Sequence, residues 1–481
     1  QDIAMAQVLM DISNEIPKSG WKKASTIQAM SHLINIKTAL RNILGNLSFG
    51  AAEKVSNALA VPVDVIASKF TGKRSLTTPQ FKDTFKAGFK QAKESAFDAA
   101  LGIDRTGINK GKYNVPIGGT FKKGSIGSSL EKIMSYELNV PDEFFKGQIY
   151  SDVLQQQMKM AGVSEPTADM IDYANARAKY ATFQDDSLPA RILQGLKDVL
   201  NLAGGGEFKT GKSGIKTHEF GLGDFLVKYT TVPGNLISRS LEYTPAGLAK
   251  ILTIANDAKL SNAVKQSEIA MTIGRTLTGT SMIAFAALLN RLGLLISEDK
   301  DRGKNAQALD QAEGLGNYKV NVTALERMLN GEDTKPQAGD LLQSYNWIEP
   351  LGVLLAIGAE VDKQISDKDK SVPAALFAIG NAAMEEVLDL PTLSVIRQMT
   401  YQDNAFDVAM TPLVQGVSGF VPGPIRQIAQ MQDPVARLTK SDSQGGAILN
   451  RIKTSLPSVN IGGVEYGRKS LEPKINAWGQ E

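Results

Sequence analysis

Apolar residues recur at intervals of three and four along most of the chain, and strand-like alternation is scarce. Residues 2–16 read as an amphipathic helix carrying Ile3, Val8, Leu9, Ile12 and Ile16. Trp21 to Leu44 reads as one or two helices that stop at Gly45-Asn46, and residues 50–71 continue helically with a break near Pro62. Pro79 starts another helix through Leu101, with Thr77 or Thr78 as its N-cap. Further helices are expected at Ser129–Tyr136, Asp142–Gly162, Glu165–Tyr180 and Leu188–Leu202. Beyond them the texture changes. Phe225 to Leu252 and Val264 to Ile296 are long and increasingly apolar, and shorter apolar runs follow at 350–361, 372–388 and 406–421. Leu449 to Leu456 is the last expected helix.

The expected fold class is therefore all-α: an extended multi-helix assembly with long loops and little or no β-structure. Six regions are expected. They are a helical region 1–101, a Gly/Lys-rich linker 102–128, a helical region 129–203, a flexible loop 204–224, an apolar helical domain 225–433 with a polar insertion at 297–340, and a tail 434–481.

Composition alters the picture in three ways. The net charge of +3 hides an asymmetry. Residues 1–130 hold 18 Lys+Arg against 9 Asp+Glu, a balance of +9, which leaves −6 for the rest. There is no cysteine among the 481 residues, so disulfides and thiolate metal sites are excluded, and the chain is indifferent to redox compartment. Only two histidines, His32 and His218, are present, which nearly removes imidazole chemistry. The start, QDIAMAQVLMDISNEI, lacks the basic segment of a signal peptide, and a first residue that is Gln suggests a processed product or part of a longer polypeptide.

Candidate chemistry is sparse. GEFKTGKS (206–213) fits the phosphate-binding pattern G-x-x-x-x-G-K-[ST], but that pattern works between a buried strand and a helix N-terminus. Here a helical pattern precedes it and GIKTHEFGLG follows, so a Gly/Lys loop is the better expectation. Glu94-Ser95 matches only two letters of a lytic transglycosylase site. Asp299 and Asp301 lack the Gly and distal Glu of a calcium loop. No catalytic, cofactor-binding or metal-ligating residue is singled out, and no enzyme activity or cofactor is expected.

Two surfaces stand out instead. Lys82, Lys86, Lys90 and Lys93 form one helical stripe that suits DNA phosphate or anionic lipid; the alternative is a solvated outer face with Phe85 and Phe89 in the core. The run 276–297, about 33 Å long as a helix, is long enough to span a bilayer. Its candidate membrane contacts are Met282, Ile283, Phe285, Leu288, Leu289 and Leu292; the alternative is a buried core helix.

Three segments resemble very large bacteriophage virion-associated proteins. NIKTALRNILGN (35–46) is similar to their Asn-Pro-Lys-Thr…Arg-Asn…Gly-Asn signature, with Ile36 in place of Pro. VKYTTVPGNLISRSLEYTPAG (227–247), followed by LTGTSMIAFAALLNRLGLL, resembles a large polyvalent protein-associated domain: a Pro/Asn-Leu turn, a Tyr-x-Pro break, then an apolar helix with Leu-Thr-Gly. SLPSVNIGGVEYGRKSLEPKINAWG (455–479) is similar to the closing motif, with Glu472 and Asn476 replacing Pro and Asp. The resemblance implies an internal virion (ejection) protein. It would be packaged in the capsid and released with the genome to help form a conduit into the host periplasm and inner membrane. Implied partners are the portal, other ejection proteins, genomic DNA, the host inner membrane and further copies of the chain. A static capsid-internal or portal-associated role, and a fragment of a larger co-injected enzyme or anti-restriction protein, remain as alternatives.

Overall fold

Side-chain oxygens set where many helices begin. Ser125, Thr167, Ser187 and Ser261 adopt extended backbone and accept from the amides of Ser128, Met170, Ala190 and Val264. In this computed structural model the described residues are 20–78, 82–102, 120–296, 319–365 and 423–473, apart from positions 203, 212, 222, 225, 226, 228, 259, 338, 346, 347, 349, 436 and 440–443. The expected helix 2–16, Asp299, Asp301, the apolar runs 372–388 and 406–421, and most of the linker 102–128 lie outside them.

The helices, in chain order, are α1 (Gly20–Leu33), α2 (Ile36–Thr71), α3 (Lys82–Leu101), α4 (Ile126–Ala161), α5 (Ala168–Ala181), α6 (Leu188–Leu200), α7 (Thr231–Glu242), α8 (Lys250–Asn256), α9 (Asn262–Arg291), α10 (Val322–Leu329), α11 (Leu351–Ile365), α12 (Gly423–Gln432) and α13 (Gln444–Thr454). The expected all-α class holds: among the described residues strands form only small antiparallel sheets. These are β1 (Gly204–Thr210) with β2 (Lys216–Gly221), then β3 (Leu295–Ile296), β4 (Lys319–Asn321) and β5 (Leu342–Ser344), and finally β6 (Val459–Ile461) with β7 (Val464–Tyr466).

Several expected boundaries move. α2 runs through Gly45-Asn46 and Pro62 for 36 residues, and α4 runs through Pro141 for another 36. An internal proline removes one helical hydrogen bond. At Pro62 the site is exposed, and so is Ala58, whose freed carbonyl can reach water. Segment 204–224, expected as a loop, carries the β1–β2 hairpin. The expected helix 276–297 ends at Arg291, where Gly293 turns with positive φ and Leu295–Ile296 become a strand.

The main core joins Phe49 of α2, Tyr180 of α5, Leu193 of α6, Leu236 of α7, Ile283 of α9 and Leu354 of α11. A second cluster packs Ala29, Met30 and Leu33 of α1 on Met134 and Leu138 of α4. Small residues permit the tightest crossings. Gly274 sits on the Ser56 carbonyl, Gly279 on the Tyr243 carbonyl, and Gly358 of α11 on the Ile283 carbonyl; a Cβ at any of these would overlap the facing backbone.

Candidate functional site

The interior of the helical assembly holds an ionic cluster built from four helices. Glu53 of α2 accepts from Arg275 of α9 at 2.7 and 3.1 Å, from Arg177 of α5 at 2.8 Å, and from the Tyr243 hydroxyl at 2.8 Å. Arg275 is 1% exposed, as is Arg239 of α7. Arg239 bonds Glu242 at 3.1 Å, and Glu242 in turn accepts from the Tyr180 hydroxyl at 2.5 Å. Both guanidinium groups lie over the Tyr180 ring, Arg239 at 3.4 Å and Arg275 at 4.5 Å from its centroid. Tyr173 donates to Glu268 at 2.7 Å on the rim.

Burial pushes the Glu53 carboxyl up, but Arg275 and Arg177 outweigh it and hold the group down at about 2. Burial likewise raises Glu242, and Arg239, Lys250 and Arg275 bring it to about 2. Burial raises Tyr173, Tyr180 and Tyr243, with nearby carboxylates adding to it. At neutral pH the two carboxylates are ionised and the phenols are neutral donors. None of these groups is poised near pH 7 for proton transfer. The arrangement is one of fixed, mutually satisfied charge. Sequence reasoning missed it. Its only local trace is one arginine in ISRSLEY and one in IGRTLTG, and the partners lie up to 222 residues away.

The P-loop-like run GEFKTGKS occupies strand β1 and the hairpin turn, and no helix starts after it. Asp198, near the end of α6, accepts from the Ser213 amide at 3.2 Å and from its hydroxyl. A carboxylate therefore takes the donors that a phosphate would need. Lys212 lies outside the described residues. Ser95 is buried and Glu94 exposed, so that pair does not share a surface. His218 lies against Phe208 with centroids 3.9 Å apart and the rings tilted by 41°, and His32 is exposed on α1.

Of the lysine stripe, Lys86, Lys90 and Lys93 are exposed along α3, and Lys82 opens the helix with a side chain outside the described ones. Phe85 and Phe89 are 52% and 60% exposed and so lie outside the core, while the exposed lysines fit a solvated face as well as a contact surface. They meet each other and Phe144 of α4 edge-on at 5.2–5.3 Å because Gly88 and Gly147 draw the two helices together.

The candidate membrane contacts divide. Ile283 is buried against α11, which removes it from any outer contact. Met282 and Leu289 are half-buried, whereas Phe285, Leu288 and Leu292 are exposed, as is Ala284. The run from Thr276 to Arg291 is about 24 Å long, shorter than a bilayer core of about 30 Å. The 30-residue helix is apolar enough to pass a composition test for spanning, but it carries the ion-paired Arg275 at its middle. No protein-family model, curated protein or solved structure matches the chain in comparison with known proteins.

Proposed function

We propose that the chain is an internal virion protein of a bacteriophage, packaged in the particle and ejected with the genome to help form a conduit for DNA across the host envelope. One observation supports this reading most: two of the segments that resemble phage virion proteins hold residues that lock the helices together. Asn42 and Asn46, in NIKTALRNILGN, donate to the Leu138 carbonyl at 3.4 Å and to Asp142 at 2.9 Å on α4. In VPGNLISRSLEY, Asn235 donates to the carbonyls of Phe183 and Asp185 and holds Phe183 at a positive φ that a bulky residue rarely adopts. Arg239, Glu242 and Tyr243 of the same segment build the ionic cluster, and Gly279 of the Leu-Thr-Gly run receives the Tyr243 carbonyl. The resembling residues thus act in architecture, which suits a structural particle component better than an enzyme.

The static alternative, a capsid-internal or portal-associated protein with no membrane stage, draws support from the ion pairs that anchor α9. The proposed localisation is the capsid interior, then the periplasm and inner membrane of the host. The proposed partners are the portal, companion ejection proteins, genomic DNA and other copies of the chain. Quantitative mass spectrometry of purified particles, followed by fractionation of infected cells, tests the reading. The protein is expected in full particles and then in the inner-membrane fraction. Retention in emptied capsids would establish the static role, and absence from particles would overturn both.

A further inference from the structure

Helix α2 is two-faced over its whole length. Asn46, Phe49, Glu53, Ser56, Ala60 and Asp64 point into the protein. On the other side Ile43, Leu47, Val55, Leu59, Ile66 and Phe70 are exposed, Phe70 by 87%. Ala51 and Pro62, both exposed, fill the gaps, so the row advances by three or four residues at each step. It extends for about 40 Å. Single exposed apolar residues need no explanation, but an unbroken row of this length does.

The charges of α2 are sorted as well. Its two acids are both buried: Glu53 is taken up by Arg177 and Arg275, and Asp64 by the Ser75 and Leu76 amides and Gln266. The exposed charged side chains described on α2 and the turn after it are cations: Arg41 near one end, and Lys69, Lys73 and Arg74 at the other, Arg74 lying 3.6 Å from Asp64. We infer that this face of α2 lies in the plane of an anionic lipid surface, its apolar row entering the headgroup boundary and its cations pairing with lipid phosphates. Charge decides between occupants. A second copy docking through the same row would bring no acid of α2 to these cations, since Glu53 and Asp64 are buried. Duplex DNA offers phosphates but nothing to cover a 40 Å apolar row. An anionic bilayer satisfies both features, and interfacial helices combine them in this way.

The inference deepens the ejection reading but rests on this face alone, so it is tested on purified full-length protein without phage. Vesicles of phosphatidylcholine, with and without phosphatidylglycerol, are floated with the protein. Binding is expected to favour the anionic vesicles by at least about thirtyfold, the contribution of two lysines near the surface. Lys69→Gln with Lys73→Gln should remove most of that preference. Leu47→Gln, Ile66→Gln and Phe70→Gln together should weaken binding by about a hundredfold or more. These residues face solvent, so the thermal midpoint should stay within about a degree or two. Equal binding to neutral vesicles, no binding, or unchanged binding by the triple variant overturns the inference. An oligomer that the triple variant dissolves, or duplex DNA binding that it abolishes, also overturns it by naming the other occupant. Protein absent from particles but bound to anionic vesicles would sink the ejection reading and leave this inference standing.

Discussion

Glu53 accepts from two arginines and a tyrosine while only 8% of it meets solvent. Glu53→Gln keeps the shape but leaves Arg275 and Arg177 short of a counter-charge, and such a break costs about 3–5 kcal/mol. Denaturant unfolding should report a loss of that order, and a loss below about 1 kcal/mol would mean that water satisfies the arginines. The acid dependence has a definite sign. Glu53 and Glu242 sit near 2 in the folded chain against an ordinary value of 4.5. Their stabilising effect is present in full above pH 4.5 and fades as pH falls towards 2. By linkage each contributes up to about 3 kcal/mol. A thermal midpoint that falls steeply between pH 4.5 and 2 is expected, and in Glu53→Gln that slope should be shallower.

At the scale of elements, the hairpin turn is a test of a motif against its setting. Asp198 occupies the Ser213 donors, so ATP with magnesium should leave the thermal midpoint unchanged, and Lys212→Ala should not alter that result. A nucleotide-dependent shift that vanishes in Lys212→Ala would reverse this. Most helices were legible from spacing alone, because their buried faces repeat at three and four residues, as 46, 49, 53, 56, 60 and 64 do in α2. The hairpin was not, because Gly204–Gly206 and the exposed strand β1 give no alternating apolar signal. The continuity of α2 and α4 through Pro62 and Pro141 was hidden for another reason: tertiary packing overrides a local penalty. The ionic cluster could not be read at all, since nothing local links Glu53 to Arg275. The exposed face of α9 leads to a further prediction. Ala284 faces solvent, so Ala284→Arg should fold with stability within about 0.5 kcal/mol of the parent. If that face enters lipid during ejection, the arginine costs about 2.5–3.5 kcal/mol there. Particles should then contain the variant at normal copy number yet deliver their genomes poorly. Normal delivery would show that Phe285 and Leu288 stay out of the bilayer.

For the whole molecule, the expected regions 1–101, 129–203 and 225–433 are not independent in their cores. Phe49 meets Phe183 at 5.0 Å and Tyr243 at 5.8 Å, and Ser56 bonds Thr278 at 3.0 Å, so each of the three regions completes the others. The basic first quarter is therefore bound to the rest through buried Glu53 and Asp64, which Arg177, Arg275 and Gln266 meet, while Lys69, Lys73, Lys86, Lys90 and Lys93 are exposed. A fragment of residues 1–101 would expose Phe49 and Glu53 with their partners missing. Buried-type carboxylates and aromatics cannot hold a helix pair without the surfaces that satisfy them. The fragment should show little helical circular dichroism and no cooperative thermal transition, and mixing it with residues 102–481 should restore both along with co-elution on a sizing column. A cooperative melt by the fragment alone would show that the basic quarter folds as its own domain and only docks on the rest. That outcome would also move the apolar row of α2 to a separable module.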